Sequence, residues 1–214
     1  MKKLSVIILL TMASAIFLFS KCNTSSGKKD TTSMDSTSAD ATPAAAVVSY
    51  GGFSTPEEWG HHIVTVADCG NCHTPKKMTA MGPVEDEALA FSGHPAAMPF
   101  PNVARKEMEA NHLFYSNDLT SWVGPWGVSF SANITSDSTT GIGNWSEEQF
   151  MTCLRKGKYM GLDKARNLLP PMPWQAFGKM TDSELKAVFA YLKSTKPIRN
   201  IVPQPVAPLL AQKR

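Results

Sequence analysis

The chain has 214 residues, 43% of them hydrophobic and 18% charged, with a formal net charge of +3. Three of its 21 basic side chains, Lys2, Lys3 and Lys21, lie in the first 21 positions, so the rest of the chain has as many basic as acidic side chains. Without a basic excess, nothing in the composition attracts phosphate groups, and nucleic acid is not an expected partner.

The first 21 residues have the pattern of a signal peptide. Lys2 and Lys3 precede an apolar run from 4 to 19, which is shorter than the roughly 20 residues that a membrane-spanning helix needs. The run ends in Leu18-Phe19-Ser20-Lys21-Cys22, which resembles a bacterial lipoprotein signal and makes Cys22 the predicted lipidation site. An uncleaved anchor helix is the alternative. In both cases the protein is expected to be exported, to the periplasm or the outer surface, and anchored to the membrane.

Residues 22–52 are predicted to form a flexible tether. Ten of the twenty residues from 23 to 42 are Ser or Thr, and such a segment cannot bury enough apolar surface to offset the entropy lost on ordering. One globular domain is predicted from 53 to 206, a length that supports a single hydrophobic core. A short C-terminal tail, 207–214, would follow it.

The sequence Cys69-Gly70-Asn71-Cys72-His73 is the motif for covalent attachment of c-type haem. Two thiols three residues apart on one helical turn can reach both vinyl groups of a porphyrin, and His73 then supplies the proximal iron ligand. A structural zinc site would need four ligands, and the only other cysteines are Cys22 and Cys153. A thioredoxin-type pair would lie where a strand gives way to a helix. One covalently bound haem c is therefore predicted.

Helices are predicted where capping boxes precede apolar residues at helical spacing. A weaker helix is expected from 103 to 113, and the segment 76–124 otherwise carries no recognised motif. No sustained alternation of period two is present, so few strands are expected and the predicted fold class is all-α. The predicted capping boxes pair Thr55 with Glu58, Ser146 with Gln149, and Thr181 with Glu184.

Met172 is the predicted sixth ligand of the iron. It lies in Leu168-Leu169-Pro170-Pro171-Met172-Pro173-Trp174, where prolines on both sides favour an extended loop that holds the side chain at a set angle. A methionine ligand raises the reduction potential and is typical of electron carriers. Met98, in Ala97-Met98-Pro99-Phe100, is the main rival, and His94 and His112 are further alternatives.

A series of short motifs in the C-terminal half resembles the class I cytochromes c related to the cytochrome subunits of bacterial membrane-bound alcohol and sugar dehydrogenases. The resemblance implies a class I cytochrome c-like helical domain with long loops around one haem, and it implies that Met172 is the distal ligand. Those subunits usually carry three haem motifs, whereas this chain carries one. The motifs are Trp126-Gly127-Val128, Asn133-Ile134-Thr135-Ser136-Asp137, Gly141-Ile142-Gly143-Asn144-Trp145-Ser146, Leu154-Arg155-Lys156-Gly157, Pro171-Met172-Pro173-Trp174, Met180-Thr181-Asp182 and Ala190-Tyr191-Leu192-Lys193.

The function predicted from these observations is transfer of single electrons between redox partners such as a dehydrogenase, a respiratory complex or an oxidase. The chain would be an electron carrier, or a subunit of an oxidoreductase complex, rather than a catalytic enzyme, since no matched acid, base and nucleophile occur in it. A c-haem enzyme or gas-binding sensor with an open or displaceable sixth site is the alternative. A purely structural lipoprotein is the third hypothesis.

Overall fold

The computed structural model describes residues 50–100 and 102–209. The predicted signal peptide, the lipidation site Cys22, most of the tether and the last five residues lie outside the described residues. Among those that are described, no helix is long and apolar enough to cross a membrane. The α-helices and strands in this part of the chain are α1 (Pro56–Val66), α2 (Cys69–His73), β1 (Lys76–Thr79), β2 (Gly82–Glu85), α3 (Arg105–Ala110), β3 (Ser121–Gly124), β4 (Gly127–Phe130), α4 (Glu147–Lys156), α5 (Trp174–Phe177) and α6 (Asp182–Ser194), and short 3-10 turns lie at Glu87–Leu89 and Tyr159–Gly161.

Two of the three predicted capping boxes form as expected. Ser146 and Gln149 exchange side-chain and main-chain hydrogen bonds at the start of α4, and Thr181 and Glu184 do the same at the start of α6. Each pair satisfies two N–H groups that have no partner inside the helix. Helix α4 ends at Gly157, whose φ of 63° lies in the left-handed region that glycine tolerates.

Helix α1 begins with a variant of the predicted box. The Thr55 hydroxyl accepts a hydrogen bond from the N–H of Glu58 at 3.1 Å, but the Glu58 carboxylate bonds to the N–H of Ser54 at 3.0 Å. The weaker helix expected from 103 to 113 is present as the shorter α3.

The hydrophobic core lies where α1 packs against α6, with α4 completing it. The two long helices meet closely at Gly60, because a side-chain carbon there would overlap the carbonyl oxygen of Ala187. The buried core residues are Ile63, Val64, Ile142, Phe150, Leu154, Leu185, Ala187, Val188 and Leu192.

The predicted all-α class is corrected by two short antiparallel hairpins, β1–β2 and β3–β4. Strands of four residues are too short to establish a period-two pattern, and all four residues of β3 are buried, so its sequence shows no polar face. The described fold is therefore a helical core with two small sheets attached to it.

Hairpin β3–β4 is held on both edges by residues from distant parts of the chain. Tyr115 pairs with Val123 on the β3 edge, and Val206 pairs with Val128 on the β4 edge through two main-chain hydrogen bonds of 2.8 and 3.0 Å. The Val128 side chain is fully buried. Because both edges are paired, β4 is fixed within the fold.

Candidate haem site

The motif Cys69-Gly70-Asn71-Cys72-His73 forms α2, a single helical turn directly after α1. Asp68 between the two helices has a φ of 57°, and its carboxylate accepts a hydrogen bond from the Asn71 amide at 3.1 Å. Cys69, Cys72 and His73 are each half-buried, and both thiols are free. The turn therefore presents the two sulfurs and the imidazole from one short element.

Burial governs the acidity of the two thiols. It raises the pKa of Cys69 to about 11, and the neighbouring charge of Asp68 acts in the same direction. Burial also raises the pKa of Cys72. Both groups are thus protonated thiols near neutral pH in the protein without a cofactor.

The His73 ring is oriented by the main chain of a distant segment. Its Nδ1 lies 2.8 Å from the carbonyl oxygen of Ala132, so the nitrogen must carry a proton to donate there. The lone pair is then on Nε2, the atom left to bind a metal, and a hydrogen bond of this kind fixes both tautomer and ring orientation. Burial lowers the pKa of His73, which favours the neutral imidazole that metal ligation requires.

The carbonyl groups of α2 are bonded from three directions. The Ser131 hydroxyl donates to the carbonyl of Cys72 at 2.5 Å, and the N–H of Gly93 donates to the carbonyl of His73 at 2.8 Å. The Lys76 ammonium donates to the carbonyl of Asn71 at 2.7 Å. These bonds fix the C-terminal end of the turn, where His73 lies.

Hairpin β1–β2 returns the chain to the motif that it follows. A side-chain carbon at Gly70 would lie 3.1 Å from a carboxylate oxygen of Glu85, so this acidic group packs against the helical turn. Lys77 pairs with Asp86 at 2.8 Å across the hairpin base. The first part of the segment 76–124, which carries no recognised motif, therefore lies next to the candidate site.

Met172 is half-buried and packs against the hydrophobic core, as Cys69 also does. Its N–H donates to the carbonyl of Leu169 at 3.3 Å. Two residues earlier, the carbonyl of Pro170 accepts a hydrogen bond from the Ser129 hydroxyl at 2.5 Å. The predicted distal ligand therefore belongs to a loop that is tied to the end of β4.

The alternative ligands have different surroundings. Met98 is half-buried and His112 is exposed. His94 is fully buried, its Nδ1 lies 2.8 Å from the Thr120 hydroxyl, and its Nε2 has no hydrogen-bond partner. Burial lowers the pKa of His94, and the charge of Asp118 opposes that effect.

Sequence reasoning missed the segment that supports both predicted ligands. Ser129 bonds to the Met172 loop, Ser131 bonds to the carbonyl of Cys72, and Ala132 orients His73. The apolar–polar alternation of Val128-Ser129-Phe130-Ser131 is a signal for a strand with one polar face, but its four residues are too few to predict a strand on their own. A main-chain carbonyl such as that of Ala132 leaves no signal, because every residue type has one.

The donors present fit a c-type haem. Two free thiols lie three residues apart, the imidazole Nε2 is left available, and a half-buried thioether borders an apolar cluster. Within the described residues, no group of three or more His, Cys, Asp or Glu side chains is placed to hold a metal ion. Further partly buried apolar side chains pack against the same core as Cys69 and Met172: Phe91, Ile134, Trp145, Met151, Phe177 and Met180.

No protein-family model matches the chain. It is 29% identical over 140 residues to the fructose dehydrogenase cytochrome subunit of Gluconobacter japonicus, a match that covers 65% of this chain and 21% of that protein. It is 39% identical over 67 residues to the gluconate 2-dehydrogenase cytochrome c subunit of Pantoea cypripedii, covering 31% and 14%. It is 37% identical over 75 residues to the alcohol dehydrogenase (quinone) cytochrome c subunit of Gluconobacter oxydans, covering 35% and 15%.

The matched segments thus make up about a fifth of the length of these relatives or less. All three relatives are named as cytochrome subunits of dehydrogenases, which confirms the resemblance found in the sequence. Their names also agree with the prediction of an electron carrier rather than a catalytic enzyme.

Proposed function

We propose that this chain is a monohaem c-type cytochrome that carries single electrons between redox partners. The observation that carries the proposal is the oriented motif: two free thiols and an imidazole on one helical turn, with the Nδ1 of His73 hydrogen-bonded to Ala132. The names of the relatives support the same function.

Each residue of the motif has a defined task in this proposal. The thiols of Cys69 and Cys72 would form the two thioether bonds that keep the cofactor from dissociating, and His73 would bind the iron through Nε2. When bound, the haem supplies a one-electron ferrous–ferric couple. Burial favours the neutral imidazole, and the carbonyl of Ala132 orients the ring.

Met172 is proposed as the sixth ligand. Its side chain is half-buried against the core, and the Ser129 hydroxyl ties its loop to β4. A thioether ligand closes the iron to small molecules and raises the reduction potential, as an electron carrier requires.

The setting of the carrier is also proposed. Cys22 would carry the lipid that tethers an exported domain, residues 53–206, to the membrane, with 22–52 as the linker. The names of the relatives support a dehydrogenase as one partner. Exchange of electrons with a respiratory complex or an oxidase would complete the transfer.

The test is the spectrum of protein that has been exported together with the haem-attachment machinery. We expect haem that stays with the chain in a denaturing gel, a weak far-red sulfur-to-iron band in the ferric form, and slow binding of carbon monoxide to the ferrous form. Met172→Ala should abolish the band, because it removes the proposed ligand, whereas the matched control Met98→Ala should keep it.

The other outcomes are equally informative. Rapid carbon monoxide binding by the intact ferrous protein would overturn the carrier function in favour of a haem enzyme or gas sensor. A band that survives in Met172→Ala and vanishes in Met98→Ala would transfer the ligand role to Met98. Absence of covalent haem would overturn the proposal and favour the third hypothesis, a purely structural lipoprotein.

A further inference from the structure

One stretch of extended chain is bonded to both predicted ligand segments. Ser129, the third residue of β4, donates its hydroxyl hydrogen to the carbonyl of Pro170 at 2.5 Å, and Ser131 donates to the carbonyl of Cys72 at the same distance. Residues two apart in extended chain share a face. The same face therefore reaches the Met172 loop through Ser129 and the haem-attachment motif through Ser131.

The Ser129 hydroxyl has both of its roles defined by its neighbours. The Trp126 indole N–H lies 3.0 Å away and can only donate, so the Ser129 oxygen accepts there. Its own hydrogen is then directed to the carbonyl of Pro170, which can only accept. Because the Ser129 side chain is buried, water cannot readily take over either hydrogen bond when the hydroxyl is removed.

The Met172 loop, residues 168–174, has few other hydrogen bonds to the rest of the molecule; one runs from the N–H of Leu168 to the carbonyl of Gly157 at 2.7 Å. Pro170, Pro171 and Pro173 have no N–H group, and the N–H of Met172 is used within the loop, on the carbonyl of Leu169. A thioether sulfur is also only a weak hydrogen-bond acceptor. The position of the sulfur is therefore set by packing against the core and by the few hydrogen bonds that tie the loop to its surroundings, of which Ser129 provides one.

The strand that supplies this bond is itself well anchored. Val128 is fully buried and exchanges two main-chain hydrogen bonds with Val206, while the N–H of Ser131 donates to the carbonyl of Thr120 at 2.8 Å. Because the strand is rigid, a hydrogen bond from it holds the loop at a fixed position.

We infer that Ser129 is a positioning residue for the distal ligand. It holds the Met172 loop at a fixed position relative to the segment that carries His73. The inference rests on the proposed function, because it takes His73 and Met172 as the two iron ligands. Without the Ser129 hydroxyl, the thioether would leave the iron more often, and external ligands would enter more readily.

The test uses the holoprotein and the variant Ser129→Ala. We expect its ferrous form to bind carbon monoxide roughly tenfold faster than wild type, the factor that corresponds to loss of a buried hydrogen bond. The far-red band of the ferric form should also weaken at the same pH. Trp126→Phe, which keeps an aromatic ring but removes the indole donor, should show a smaller change in the same direction.

Ser136→Ala is the matched control. The Ser136 hydroxyl donates to the carbonyl of Thr195 at 2.5 Å, so this variant loses a bond of the same kind between two segments that carry neither ligand. Both variants should lose stability. Only Ser129→Ala should change the rate of carbon monoxide binding.

The two proposals fail in distinguishable ways. If wild type shows the far-red band and Met172→Ala loses it, yet Ser129→Ala binds carbon monoxide at the rate of Ser136→Ala, the positioning role is overturned and the carrier function stands. If wild type lacks the band, the ligand assignment itself fails. If Ser129→Ala yields no holoprotein, the isosteric pair Ser129→Thr and Ser129→Val decides. Equal rates for that pair would overturn the role, and a faster rate for valine alone would support it.

Discussion

Asp137 organises the loop between β4 and α4 with a single carboxylate oxygen. That oxygen accepts hydrogen bonds from the N–H and hydroxyl groups of both Thr139 and Thr140, at distances from 2.6 to 3.0 Å. The main-chain carbonyl of Asp137 accepts from Gly141 and Gly143. This part of the motif that carried the family resemblance is therefore a structural loop.

These hydrogen bonds predict a pH dependence. The hydroxyl and N–H of Thr140, with those of Thr139, lower the pKa of Asp137 from 3.8 to about 2. Since the folded state favours the ionised form, the stabilisation is complete above about pH 4 and is lost as the pH falls towards 2. The difference in free energy of unfolding between wild type and Asp137→Asn should therefore be largest near neutral pH and narrow below pH 4.

Urea unfolding of both proteins at a series of pH values measures this difference. Asp163→Asn is the control, because Asp163 is an exposed carboxylate on another loop. A difference between wild type and Asp137→Asn that stays constant down to pH 2 would contradict the prediction.

The crossing of α1 and α6 depends on the absence of a side chain at Gly60. A methyl group there would overlap the carbonyl oxygen of Ala187 and approach the Cβ of Tyr191 at 2.8 Å, so the helices would have to separate. Gly60→Ala should lower the free energy of unfolding by roughly 3 kcal/mol, although alanine is the better helix former.

Chemical unfolding in urea gives this value directly. Val66→Ala is the control on the same helix, because Val66 is 68% exposed and its truncation should change stability by less than about 1 kcal/mol. Equal effects of the two substitutions would mean that the helix contact is not as close as described.

Helices with local signals were predictable, and the hairpins were not. The boxes at Ser146 and Thr181 operate within one helical turn, so four residues suffice to predict where α4 and α6 begin. Strand β4, in contrast, is defined by pairing with β3 and with Val206, which lies far along the chain. Such pairing depends on tertiary contacts that no local pattern encodes.

The candidate site divides in the same way. Cys69, Cys72 and His73 could be selected because the chemistry of haem attachment demands those residue types at that spacing. The residues that support the ligands could not be selected from the sequence. Ala132 acts through its main chain, and Ser129 acts through a hydrogen bond to a residue 41 positions away. The choice of Met172 over Met98 from flanking prolines stays a prediction that the variants above decide.

Asn200 joins the segment after α6 to the chain between β2 and α3. Its amide donates to the carbonyls of Ser92 and His94 at 2.7 and 2.8 Å and accepts from the N–H of Ala96 at 3.0 Å. Asn200→Ala leaves these groups without their partner and should lower the free energy of unfolding by about 2 kcal/mol.

The midpoint of urea unfolding is the measurement, with Arg199→Ala as the control because Arg199 is exposed. An Asn200→Ala protein as stable as the control would show that water or other donors replace the amide.

The separation of His73 from Ala132 bears on the order in which the protein is assembled. The two are 59 residues apart, and the Asn200 bonds that brace the same region span more than 100. Because the chain is made from its N-terminus, the haem-attachment motif emerges long before the carbonyl that orients its histidine, and closing such long loops carries an entropic cost. On the proposed function, a nascent chain would meet its cofactor with no finished pocket to retain it. Two covalent bonds, formed at the thiols of Cys69 and Cys72, would then hold the haem until the C-terminal segment closes the fold around it.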